Sequence, residues 1–335
     1  MPNSINLALV GAGRIGAVHA KAVGNDSHAQ LTAISDAFPQ SARALSEKTS
    51  AAVMSVEEIA ADTSIDGVII CTPTDTHADL IETFARAGKA IFCEKPIDLD
   101  VERVKRCLAV VKETGASLMV GFNRRFDPSF AATQRAIADG KIGDVELVQI
   151  VSRDPEGPPL DYIKSSGGLF CDMTIHDFDM ARWLLGEEPV SLTAQGSVLV
   201  YPEIADVPDY DTASIILRTA SGKQASITNS RRASYGYDQR IEVHGSKGMV
   251  HAENHRSVST ELANEHGYNR APLHHFFMTR YTEAYAAEIA AFVRQIVDGE
   301  SAEPDGNDGL RSLVLARAAT ASAREGRTVK IADFE

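Results

Sequence analysis

The sequence predicts an α/β protein in two parts: an N-terminal Rossmann domain over residues 1–122 and a C-terminal α+β domain over 123–335 with a large open, mostly antiparallel sheet. Three observations predict it. A glycine-rich turn, Gly11-Ala12-Gly13-Arg14-Ile15-Gly16, follows the first apolar run. Apolar runs and helical stretches then alternate up to about residue 122. Beyond that point strand-like runs succeed one another with few helices between them. Alternation is the pattern of a parallel sheet covered by helices, and succession that of an antiparallel one. At 335 residues the chain also exceeds what one core usually organises.

Composition narrows the function classes. Hydrophobic content of 44% and charged content of 24% are those of an ordinary soluble globular protein. A net charge of −13 argues against a nucleic-acid or anionic-membrane surface, which needs clustered Lys and Arg. No apolar run approaches membrane-spanning length, and the N-terminus has no basic n-region before the glycine turn. Cys71, Cys93, Cys107 and Cys171 show no metal-type spacing and read as reduced, mostly buried thiols. The expectation is a cytoplasmic protein with a small-molecule substrate, no nucleic-acid or membrane partner and no metal.

In the first half, Ile5 to Val10 reads as a strand and the segment after Gly16 as a helix to about Val23. The three glycines have separate tasks: a tight turn, close backbone approach to a pyrophosphate, and close helix–strand packing. The helix start, at Arg14 and Ile15, offers free N–H groups and a positive dipole end to phosphates. A second strand, Leu31 to Ile34, leads to Asp36, twenty residues past Gly16, where a carboxylate can accept from ribose hydroxyls. That carboxylate repels a 2′-phosphate, and Ala37, Phe38 and Pro39 supply no cation, so NAD is favoured over NADP; only Arg43 could fold back. Further strands are expected at Gly67–Cys71, Ala90–Cys93 and Leu118–Gly121, with helices at about 76–87 and 101–114. Their ends carry Thr72-Pro73-Thr74, Glu94-Lys95-Pro96 and Phe122-Asn123-Arg124-Arg125. In an open doubly wound sheet ligands bind at such ends, so Pro73, Lys95 and Asn123 should face one crevice. Lys95 reads either as a solvated turn lysine or as an ammonium beside the nicotinamide that donates to a substrate oxygen. A cis Lys95–Pro96 bond would be one way to turn it inward. His77 is expected to cap or pack near the cofactor loop, and His19 to be structural.

In the second half, 128–139 reads as a linking helix and 145–152 as a strand ending at Arg153-Asp154. The run from Gly168 to Gly186, read as one helix, puts Asp172 and His176 on one face, with Gly186 placed for a left-handed cap. A carboxylate one turn from an imidazole can orient the ring and favour its charged form, as a proton-transferring base requires. The alternative is an ordinary surface pair. Strands follow at about 191–200, 212–219, 224–230, 240–244 and 248–251, leaving one sheet face open to an oligomeric partner. Helices close the chain at 281–298 and 309–324, with a short strand at Lys330-Ile331. Residues 254–279 are expected to be irregular, a loop over the crevice. Its His266, His274 and His275 fit no standard metal spacing.

Taken together, these stretches resemble the Gfo/Idh/MocA oxidoreductase family, and within it the members that oxidise inositols. The resemblance rests on Gly11-Ala-Gly13-Arg-Ile-Gly16 with His19-Ala20, Cys71-Thr-Pro-Thr with Thr76-His77-Ala78, and Glu94-Lys95-Pro96. It continues through Gly121-Phe-Asn-Arg-Arg-Phe-Asp127 and Asp172-x-x-x-His176 to Trp183-Leu-Leu-Gly186. The resemblance implies a homo-oligomer, usually a tetramer or dimer with the tetramer favoured. It also implies NAD-dependent oxidation of a cyclic polyol, myo-inositol at C2 foremost, with another sugar or polyol (an aldose, scyllo- or chiro-inositol) as the alternative substrate. Catalysis then falls to Lys95, Asp172 and His176, with His176 as base, Asp172 orienting it and Lys95 stabilising the developing alkoxide. The cofactor is expected against Gly11, Gly13, Arg14, Ile15, Asp36, Thr72, Pro73, His77, Glu94, Lys95 and Asn123. Arg124, Asp154 and Tyr235 are expected to bind substrate, Tyr235 being equally readable as a sheet residue filling the core. Two other classes compete. A dinucleotide-sensing regulator would not need Lys95, Asp172 and His176 together. A metal hydrolase built on Cys171, Asp172 and His176 leaves the glycine turn unexplained.

Overall fold

The computed structural model of the chain describes residues 4–335. They cluster into two compact units. One is the chain through Phe126 with Glu283–Leu313, the other Asp127–Thr282 with Val314–Glu335. The crossing after Phe126 lies close to the expected boundary at 122, but the second unit is not the contiguous stretch 123–335. The reason is the apolar face of the helix Thr282–Asp298, whose Ile289, Phe292 and Val293 are buried in one cluster with Leu7, Leu9, Ile69 and Phe92.

The first unit carries strands β1 (Ile5–Val10), β2 (Ala29–Ser35), β3 (Ala52–Val53), β4 (Gly67–Ile70), β5 (Ala90–Glu94) and β6 (Leu118–Gly121). They form one parallel sheet in the order β3-β2-β1-β4-β5-β6. This is the doubly wound order whose switch point lies between β1 and β4. Every residue of β4 is buried, which is why its sequence is an unbroken apolar run. Helices Arg14–Gly24, His77–Arg86 and Val101–Thr114 lie where the alternation predicts them. Two more, Pro39–Thr49 and Val56–Ala61, fall between β2 and β4. The shorter opens on a capping box in which the Ser55 hydroxyl accepts from the Glu58 N–H and the Glu58 carboxylate from the Ser55 N–H.

The second unit is built on β7 (Val145–Arg153), β8 (Pro189–Ser197), β9 (Thr212–Thr219), β10 (Gln224–Ser230), β11 (Asp238–Gly245) and β12 (Gly248–Ala252). A hairpin of β13 (Glu261–Asn264) and β14 (Gly267–Arg270) follows, and β15 (Val329–Lys330) ends the series. The seven-stranded sheet runs β12-β11-β7-β10-β9-β8-β15. The β7–β10 pair is parallel and the other neighbours are antiparallel. Along β9, buried Ala213, Ile215 and Leu217 alternate with exposed Ser214, Ile216 and Arg218, so that face of the strand is open.

Two expectations are corrected. The run from Gly168 to Gly186 is not one helix but two, Gly168–Asp172 and Thr174–Leu185, broken at Met173. The Leu169 carbonyl accepts from the Met173 N–H, and the Thr174 hydroxyl, which also lies 3.3 Å from that carbonyl oxygen, donates to Asn229 Oδ1 at 2.8 Å. A partner 55 residues away thus fixes the break, and the second helix is buried on nearly every side. Gly186 does end it in the left-handed conformation. Residues 254–279 are also less irregular than expected, since they contain the β13–β14 hairpin. All eight of its strand residues are exposed, so no apolar alternation marks it. Among the described residues no helix is long and apolar enough to cross a membrane, and no group of three or more His, Cys, Asp and Glu is placed to hold a metal ion.

Candidate active site

The first unit forms a cradle at its switch point. Gly11 adopts φ +102°, and a Cβ there would stand 2.6 Å from the Cys71 carbonyl on the neighbouring strand end. A Cβ on Gly16 would stand 2.0 Å from the Gly11 carbonyl oxygen. Gly13 differs, because its Cβ would meet nothing within 4 Å. The outer glycines close the turn, and the middle one keeps open the space a pyrophosphate requires. Gly13 caps the helix Arg14–Gly24 with no side-chain bond, so the first-turn N–H groups, Arg14 and Ile15 among them, are left for an anion. Asp36 braces this turn. One carboxylate oxygen accepts from the Ala12 N–H at 2.6 Å and the other from the Phe38 N–H at 2.7 Å. A carboxylate has about four acceptor positions, so two remain for ribose hydroxyls. These residues fit a dinucleotide.

The ends of β4, β5 and β6 lie side by side, carrying Thr72-Pro73, Lys95 and Asn123. His77 fastens two of them: Nδ1 lies 2.8 Å from the Pro96 carbonyl oxygen and Nε2 2.8 Å from that of Thr72. Burial lowers its pKa, outweighing the pull of the two carbonyls. The Lys95–Pro96 bond is cis, and Lys95 is half-buried rather than a freely solvated turn residue. Glu94 has its own partner. Its Oε1 lies 2.7 Å from Nε2 of the fully buried His19, whose ring packs edge-on against Phe92 and Tyr285. The carboxyl named for the cofactor is therefore tied to a histidine read as structural. Asn123 and Arg124 are both buried in the 3₁₀ turn that follows β6. Burial pushes the Cys71 and Cys93 thiols well above their ordinary range and Cys107 up to about 12, and all four cysteines are free and buried.

In the second unit, the functional candidates gather at the carboxyl end of β7. The Asp154 N–H donates to the Ser230 carbonyl at the end of β10. On the other side Asp238 of β11 stands opposite Arg153. Tyr235 is not a core residue: it is 52% exposed, its hydroxyl donating to Asp238 Oδ2 at 2.6 Å and accepting from Arg153 Nη1 at 2.8 Å. Burial and the neighbouring Asp238 raise the Tyr235 phenol. Burial would raise Asp238 too, but hydrogen bonds from Arg240, Tyr235 and Asn254 overcome it and hold the carboxylate below its usual range.

Asp172 is the last residue of its short helix, and both its oxygens have partners. Tyr162 Oη donates to Oδ1 at 3.0 Å, and Arg231 Nη1 lies 3.4 Å from Oδ2. Arg231 follows β10 directly, so Asp154 and Asp172 are linked through the same strand end. His176 stands, half-buried, in the first turn of the next helix. The next residue, buried Asp177, accepts from Asn229 Nδ2 at 2.8 Å. Lys95 and Arg124 belong to the first unit, and Asp154, Asp172, His176 and Tyr235 to the second. Sequence reasoning missed Tyr162, Arg231 and Asp238. Arg231-Arg232 after a strand looks like a solvated turn pair, and only the fold reveals that the first arginine is buried.

Comparison with known proteins agrees with this geometry. Residues 5–122 match the family model described as an oxidoreductase family with an NAD-binding Rossmann fold, and residues 130–251 match a GFO/IDH/MocA C-terminal domain. An inositol 2-dehydrogenase of Rhizobium meliloti is 64% identical over 98% of this chain and 100% of its own length. Among solved structures, a myo-inositol dehydrogenase from Corynebacterium glutamicum superposes with a TM-score of 0.94 at 44% identity, covering 98% of each chain. A scyllo-inositol dehydrogenase from Lactobacillus casei, solved with NAD(H) and scyllo-inositol, gives 0.92 at 29% identity over 98% of this chain and all of its own.

Proposed function

The chain belongs to the GFO/IDH/MocA oxidoreductases, and from that premise we propose that it oxidises a cyclic polyol with NAD, converting myo-inositol at C2 to the 2-keto product. The observation that carries the reading is the full-length likeness to an inositol 2-dehydrogenase in a chain whose first unit has a complete dinucleotide cradle. When bound, NAD accepts the hydride that leaves the carbinol carbon.

The chain's own residues divide the remaining work. His176 takes the hydroxyl proton as the alcohol is oxidised. Asp172 orients the His176 ring and balances its positive charge. Lys95 donates to the same oxygen and stabilises the alkoxide as it develops. Asp154, Tyr235 and Arg124 pair with the further hydroxyls of the ring, since a buried polyol needs a partner for each. Asp36 disfavours a 2′-phosphate, which makes NAD rather than NADP the cofactor used. The open face of β9 in the seven-stranded sheet supports a homo-oligomer, and the family resemblance favours a tetramer, which we place in the cytoplasm.

The test is reduced-nicotinamide formation with a panel of myo-, scyllo- and D-chiro-inositol, glucose, xylose and a dihydrodiol, each with NAD and with NADP. Turnover of myo-inositol with NAD is expected. Turnover of an aldose alone would overturn the substrate, and NAD binding without any turnover would overturn the activity.

A further inference from the structure

We propose that Arg231 is a positioning residue for the reaction: its guanidinium, with the Tyr162 hydroxyl, holds the Asp172 carboxylate in the orientation that His176 works against. The inference rests on the roles of Asp172 and His176 given under the proposed function. Arg231 is among the largest fully buried side chains, 1% exposed. Its Nη1 approaches Asp172 Oδ2 at 3.4 Å, while Nε and Nη2 have no hydrogen-bond partner among the described residues. Such a group keeps its charge, because arginine does not deprotonate in proteins.

As a stabilising device this arrangement is poor. A single long contact recovers little of the cost of taking a guanidinium out of water, and well-packed apolar side chains in place of both partners would serve stability as well or better. As a fixed charge behind a carboxylate it makes sense. Arg231 is delivered from a strand end, and its N–H is anchored on the Asp211 carbonyl at 2.8 Å. Asp211 is in turn fixed by the N–H groups of Leu199, Val200 and Tyr201. A side chain on so firm a base is suited to orient a group that ends a five-residue helix. The nearby Asp209 is a weaker claimant. Its Oδ1 is taken by the Leu169 N–H at 2.7 Å, and burial pushes its carboxyl up despite that bond and the charge of Arg231. Tyr162 meets the other oxygen of Asp172, so the carboxylate is held from two sides by donors that come from different segments.

The experiment is a double-mutant cycle of Arg231→Met and Asp172→Asn, with Arg231→Lys beside it. It follows kcat and KM on myo-inositol and NAD together with the melting temperature. R231M is expected to lower kcat by about 10–100-fold and to leave the KM for NAD within about twofold. R231K should recover part of the rate. In the D172N background R231M should change kcat by less than about threefold, because its effect passes through Asp172. An equal fold-loss in both backgrounds, or wild-type turnover by R231M, would overturn the proposal. Should R231M fail to fold, Tyr162→Phe carries the same cycle at a half-exposed side chain, and additivity there overturns it too. Failure of the underlying reading looks different, since D172N would itself retain most of its turnover.

Discussion

The two units solve the problem of building a site in opposite ways. The first works mainly through backbone: three glycines, the uncapped start of a helix and the ends of three parallel strands, with one carboxylate bracing the turn. The second works through side chains that reach across the fold. Asp172 is held by residues 10 and 59 positions away, and Asn229 reaches back 52 positions to Asp177. A backbone site is written locally, because turn, helix start and strand end are consecutive in sequence. A tethered site is written in pairs that only the tertiary structure brings together. Substitutions should therefore fail differently in the two units.

The largest effect is expected in the tethered half. His176→Ala should lower kcat by roughly 10²–10⁴-fold, the usual worth of a positioned general base, while NAD affinity scarcely changes. Steady-state kinetics with calorimetric NAD titration checks both. If binding and turnover fall together, the division of labour between the units is wrong, and a variant that keeps most of its turnover removes His176 from the mechanism.

How much of each unit could be read in advance follows from the same contrast. The glycine turn, Asp36 and the strand-end residues Pro73, Lys95 and Asn123 declare themselves by spacing, and the parallel sheet follows from the apolar runs between helices. The tie between His19 and Glu94 spans 75 positions and has no local signature. In the second unit Asp172 and His176 were legible as residue types four apart. The helix break between them was not, because no glycine or proline stands at Met173 and the break depends on Thr174 meeting Asn229. Tyr235 looked divided between core and ligand for want of its partners Arg153 and Asp238. The β13–β14 hairpin was invisible because exposure on every strand residue erases the apolar period.

An intermediate effect sharpens the backbone side of the comparison. Gly13→Ala adds a methyl where the fold has open space, so stability should hold while NAD affinity falls by about 10–100-fold through lost pyrophosphate approach. Gly16→Ala places the same methyl 2.0 Å from the Gly11 carbonyl, so stability and NAD binding should fall together. Thermal melts beside NAD titrations separate the two cases. Equal melting losses in both variants would mean that Gly13 serves packing rather than ligand approach.

The smallest expected effect tests whether the tethered half depends on charge at its anchors. Asp211 is fully buried, and burial alone would raise its carboxyl. The N–H groups of Leu199, Tyr201 and Val200 and the Thr212 hydroxyl overcome that, leaving the folded-state pKa below its ordinary value. A depressed carboxyl stabilises the fold above its unfolded pKa, about 3.9, and that contribution is lost as pH falls through the lower folded value. Asp211→Asn replaces one acceptor oxygen with a donor that faces backbone N–H groups. It should destabilise the protein by about 1–3 kcal/mol near neutral pH. The gap from the unmodified protein should narrow as the pH drops below about 4, where the natural carboxyl loses its charge as well. Melting curves of both proteins across that range give the answer. A gap that stays constant with pH would mean that Asp211 acts through shape alone, and that the anchor beneath Arg231 is steric rather than electrostatic.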